Sequence, residues 1–97
     1  MNYYGNDEER VRLIAGLRDL ATFLESSPDV PAPRWADVMV FPHNGSDEEN
    51  RTEIDAIAAC IGAEAQTVCG HYIAARRFRS VEYRAVAIPR GNDAEGE

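Results

Sequence analysis

Twice in this chain a small capping residue precedes three acids and then apolar residues at helical spacing. No other feature limits the fold as much. Asn6 leads Asp7, Glu8 and Glu9; Ser46 leads Asp47, Glu48 and Glu49. In each case the first side chain can accept a hydrogen bond from the backbone N–H three residues on. The glutamate at that position can return the bond, and the acidic first turn suits the positive end of the helix dipole. After the first cap, Val11, Ile14, Leu17, Ala21 and Leu24 recur with the 3.6-residue period, and Leu13 and Leu20 widen the stripe. Ser26-Ser27-Pro28 ends this helix, because a proline disfavours helical geometry in the residue before it. After the second cap, Ile54, Ile57, Ala58 and Ile61 line one face, and Gly62 is a natural C-terminal stop.

The remaining segments read as extended. Pro28, Pro31 and Pro33 make a stiff connector as far as Arg34. Trp35 to Phe41 alternates as a strand, with Pro42 ending it and His43-Asn44-Gly45 turning the chain. Gln66 to about Arg77 and Val81 to Ile88 read as two further strands, joined by a turn near Phe78-Arg79-Ser80. The order is α-β-α-β-β, which predicts an α+β domain. Its three-stranded sheet has both helices packed on one face, the first two strands parallel, and the last strand antiparallel to its predecessor with a place open to it between the two parallel strands. Residues 1–90 are expected to form this single domain, and 91–97 an acidic, disordered tail. A small sheet of this kind has two open edges, which predicts a homodimer.

Charge is distributed unevenly. Net charge is −7, and all ten basic residues are arginine. Residues 1–70 hold 13 acids against 5 bases, a balance of −8. Residues 71–90 hold Arg76, Arg77, Arg79, Arg84 and Arg90 against Glu82 alone, a balance of +4. The basic charge therefore belongs to the closing hairpin. Arg76, Arg77, Arg79 and Arg84, with Tyr72 and Tyr83 close by for stacking, are the candidate interaction or anion-binding residues. The overall negative field opposes DNA and anionic membranes, so a solvated face neutralised by the acidic helices of this chain or of a partner copy is favoured over nucleic acid, and a protein partner with an acidic patch lies between the two.

Catalytic and metal chemistry lack support. Cys69 and His71, two apart on an expected strand, would share a face, but no oxyanion hole or activating group accompanies them. Cys60, Cys69, His43 and His71 match no zinc spacing. The carboxylates of the second helix serve as cap and wet face, and their charge would repel a phosphate at that N-terminus. No catalytic residue, metal ligand or cofactor is assigned. No apolar run spans a bilayer and no leader precedes the first helix, so a cytoplasmic protein is expected.

Two stretches, Val11-Arg12-Leu13-Ile14-Ala15-Gly16-Leu17-Arg18-Asp19-Leu20 and Val81-Glu82-Tyr83-Arg84-Ala85-Val86-Ala87-Ile88-Pro89, resemble segments of small uncharacterised proteins of actinobacteria and their phages or mobile elements. The resemblance spans roughly residues 10–90 and agrees with a lysine-free composition. It implies an accessory gene in such a genome, and no activity, cofactor or site residue. The expected function is a non-enzymatic, self-associating interaction module, an accessory or inhibitory partner of another protein. The alternative is a nucleic-acid or anion binder using the arginine-rich hairpin.

Overall fold

The structure, a computed structural model, describes residues 4–43 and 45–89. The tail predicted at 91–97 lies outside the described residues. The chain divides into two compact units, one ending at Arg34 and the other beginning at Trp35.

The first unit is built on helix α1, Asp7–Ser26. Both bonds of its capping box form: the Glu9 N–H donates to Asn6 Oδ1 at 2.8 Å, and the Asn6 N–H donates to Glu9 Oε1 at 2.9 Å. At the far end the Ser26 hydroxyl donates back to the Thr22 carbonyl at 3.0 Å, and Ser27 leaves helical geometry ahead of Pro28. No residue of α1 is buried.

The second unit holds strand β1 (Ala36–Val40), helix α2 (Asp47–Ile61), and strands β2 (Gln66–Val68), β3 (His71–Phe78) and β4 (Val81–Ala87). The sheet is four-stranded and mixed, in the order β1-β4-β3-β2. The α+β class stands, but the expectation of three strands does not. The segment read as one strand from Gln66 to Arg77 is broken by Cys69 (φ 51°) and Gly70 (φ 83°), two consecutive left-handed residues. That geometry makes a two-residue hairpin turn of the primed kind, which matches strand twist. Thus β2 folds back on β3 and reverses the chain. The last strand, β4, lies between β1 and β3 and antiparallel to β3, as expected, but the added reversal makes β4, and not the strand after α2, run parallel to β1.

Helix α2 repeats the capping logic. The Glu49 N–H donates to Ser46 Oγ at 3.1 Å and the Ser46 N–H to Glu49 Oε1 at 2.8 Å. Gly62, left-handed at φ 71°, ends the helix while the Ala63 N–H reaches the Ala58 carbonyl at 2.9 Å. The six-to-one bond and the left-handed glycine form a Schellman stop. Ile54 is fully buried and packs with Ala58 against Ala74, Ala85 and Ala87. The sheet residues beneath α2 are alanines, so the helix can lie close to the strands. Val40, Ile57, Ile61, Tyr72 and Tyr83 close the rim of this core.

Candidate interaction surfaces

Strand alternation assigns each side chain to a sheet face. Register places Val38 and Val40 of β1, Tyr83, Ala85 and Ala87 of β4, and Tyr72, Ala74 and Arg76 of β3 on the face that α2 covers. The reverse face carries Asp37 and Met39, then Glu82, Arg84 and Val86, then His71, Ile73, Ala75 and Arg77. Ile73 and Val86, cross-strand partners there, are buried outside the α2 core.

The predicted anion-binding residues fall on both faces. Arg76 lies on the α2 face, its guanidinium carbon 4.9 Å from the centroid of the Phe78 ring. Arg84 lies on the reverse face between two acids, its Nε 3.7 Å from Glu82 Oε1 and its Nη1 3.9 Å from Asp37 Oδ2. The Arg84 Nε is buried and makes no hydrogen bond. Two carboxylates within 4 Å offset its charge locally. Arg77 sits opposite Glu82 in the register. Arg79 is the first residue of the β3–β4 turn, held at φ 59°. Tyr72 turns to α2: its hydroxyl donates to Asp55 Oδ1 at 2.6 Å, and the Arg51 guanidinium lies 4.2 Å from its ring centroid. Tyr83 packs at the core rim. Alternation thus separates Arg76, Tyr72 and Tyr83 from Arg77 and Arg84.

The Tyr72 cluster was not found in the sequence, although Arg51 and Asp55 are four apart and share a helix face. Donation to Asp55 holds the Tyr72 phenol above its usual pKa, with desolvation adding to the rise. Beside it Asp47, Asn50, Arg51, Ala87, Ile88 and Pro89 line a shallow concavity of about 170 Å³, with Asn50 only 5% exposed.

The thiols and imidazoles are spread out. Cys60 is exposed on α2, and Cys69 is exposed in the β2–β3 turn. The expected sharing of a strand face by Cys69 and His71 fails, because alternation does not continue through a left-handed turn residue. Among the described residues, no group of three or more His, Cys, Asp or Glu is placed to hold a metal ion. Among the same residues, no helix is long and apolar enough to cross a membrane.

Helix α1 carries an exposed apolar surface. Val11, Leu13, Ile14, Leu17, Leu20 and Phe23 are between 40% and 67% exposed. Most of them form one stripe. Leu13, Leu17, Leu20 and Leu24 follow one another at spacings of four, three and four. Ile14 and Ala21 flank this line on one side, and Gly16 and Phe23 on the other. The arrangement suits recognition through an apolar surface, and the exposed Arg12–Glu8 pair (3.9 Å) is a wet, weak one.

No family model, curated protein or solved structure matches this chain.

Proposed function

We propose that the protein is a small, non-enzymatic interaction module that associates with itself and serves as an accessory or inhibitory partner of another protein. The observation that carries this reading is the α1 stripe: six large apolar side chains on one helix with none buried. Exposed apolar patches of several hundred Å² on a small protein mark interaction surfaces. Two further features agree. The sheet ends in two short edge strands, β1 and β2, that can take another strand. The arginines of the closing hairpin are divided between faces, and Arg84 lies between two acids, which favours a protein partner over a continuous anion site. The setting we propose is the cytoplasm of an actinobacterium, from a phage or mobile-element gene, as the resemblance of residues 11–20 and 81–89 implies. Packing of α1 beside α2 on one sheet face, the arrangement predicted from sequence, is the rival use of the same stripe.

Sedimentation velocity on the full chain over a wide concentration range tests the proposal. A reversible rise in mass with concentration supports it. A strict monomer at the highest concentration removes self-association.

A further inference from the structure

We infer that the outer edge of β1 pairs with β1 of a second copy, the two strands running antiparallel with Val38 facing Val38 across a two-fold axis. This rests on the self-association reading and adds a contact in the sheet unit, separate from the α1 stripe.

The backbone shows which groups are placed to pair. β1 is an end strand, bonded to β4 on one side only. The Ala36 N–H donates to the Ser80 carbonyl at 3.0 Å, so Ala36 turns its backbone groups inward. Alternation then turns those of Val38 and Val40 inward as well. It turns those of Asp37 and Met39 outward and, one residue beyond each strand end, those of Trp35 and Phe41. Among the described residues no strand lies on that outer side. Such a row of N–H and C=O groups is a template for one more strand. The other end strand, β2, offers only three residues.

Three constraints select the register. Outward residues must face outward residues for bonds to form, so the axis passes through a residue and not between two. An axis at Asp37 would set Asp37 against Asp37, like charges directly opposite, and Phe41 against Pro33, which has no N–H. An axis at Met39 leaves Trp35 beyond Pro42 of the other strand. An axis at Val38 pairs Asp37 with Met39 and Trp35 with Phe41, each twice by symmetry. Four such pairs exchange about eight backbone hydrogen bonds.

Side chains fit the same register. Trp35, Met39 and Phe41 are 65%, 41% and 47% exposed. Directly opposed residues of antiparallel strands share a face, so each Trp35 ring meets a Phe41 ring, a pairing that stabilises sheets. The stretch Trp35-Ala36-Asp37-Val38-Met39-Val40-Phe41 has an aromatic ring at each end, small apolar residues at its second and sixth places and a valine at its centre. That near-symmetry about Val38 is what a strand facing its own copy requires and what a strand facing another sequence does not.

The test uses the full chain with Cys60→Ser and Cys69→Asn. Asp37→Cys, Val38→Cys and Met39→Cys are each oxidised mildly and separately. Val38 faces its copy as a non-hydrogen-bonded pair with Cα atoms about 4.5 Å apart, within disulfide reach. Val38→Cys should therefore give the most linked dimer. A greater yield from Asp37→Cys or Met39→Cys overturns the register. In parallel, sedimentation compares the unmodified chain with Met39→Lys and Met39→Glu, and the same two changes at exposed Ala56 of α2 correct for net charge. Opposite Asp37 of the second copy, Met39→Lys should tighten the dimer and Met39→Glu weaken it, by about two- to thirtyfold over two symmetric pairs. Effects equal to those at Ala56, or no linkage in any cysteine variant of a chain that dimerises, overturn the β1 pair and leave self-association standing. An unmodified chain that is monomeric throughout overturns both. Opposed signs for the two Met39 variants separate an altered interface from a failure to fold.

Discussion

Ile54→Ala should remove most of the stability of the sheet unit. Among the described residues Ile54 is the one large side chain that is wholly buried, and its neighbours are Ala58, Ala74, Ala85 and Ala87. Truncation deletes three carbons, a transfer loss of about 2.5 kcal/mol at roughly 0.8 kcal/mol per buried methylene. A cavity term adds to this. Alanines have no side-chain torsion with which to move into the void, and three of the four are fixed by sheet hydrogen bonds. The cost should therefore fall in the upper part of the usual 2–5 kcal/mol, at about 4 kcal/mol. Some 55 residues, at roughly 0.05–0.15 kcal/mol each, give a total of about 3–8 kcal/mol. The variant should lose half of its stability or more. Urea unfolding followed by circular dichroism and by the fluorescence of Trp35, the only tryptophan, measures this. Ile54→Val, a smaller truncation, should cost about 1 kcal/mol. A cost below about 1 kcal/mol for Ile54→Ala would refute a core centred on this side chain.

Other outcomes follow from single contacts. Ser46→Ala removes the acceptor for the Glu49 N–H and should destabilise the chain by about 1 kcal/mol in the same urea assay. Cys69→Asn places a residue that tolerates left-handed geometry before Gly70, and thermal melts should show a gain of about 0.5–1 kcal/mol; a loss would mean the turn is misassigned. Tyr72 has its phenol pKa raised, chiefly by donation to Asp55, so the protonated form is favoured in the folded chain. Its contribution is complete below the unfolded value near 10.0 and is lost as pH rises through the higher folded value. Ultraviolet titration should show one of the four tyrosines ionising late, and Asp55→Ala, which removes the acceptor, should abolish the delay. Heparin or DNA columns should fail to retain the protein even at low salt; retention that falls steeply with salt would restore the anion-binding reading.

What was legible in the sequence was local. Both helices begin where Asn6 and Ser46 place them, since capping involves only residues three apart. Gly62 stops α2 for an equally local reason, the left-handed cap. The extra strand was missed because Cys69-Gly70 lacks the Asn-Gly or Asp-Gly pair that marks such a turn, and the flanking residues alternate as one long strand would. The parallel direction of β4 against β1 followed from that miss, because one further reversal changes which strand runs parallel to β1. The arginine cluster illustrates the limit of linear reading. Arg76 and Arg77 are neighbours in sequence and therefore point to opposite faces of β3. The α1 stripe was visible as an amphipathic pattern, but a period alone does not say which molecule covers it.

Amide hydrogen exchange of the full chain at low and high protein concentration tests the central claim most directly. If α1 is a recognition surface for a second copy, protection at Leu13–Leu24 should rise with concentration while that of β3 and β4 stays constant. Strong protection of the same amides that does not change on dilution would mean that the chain covers its own helix, and the account would fail.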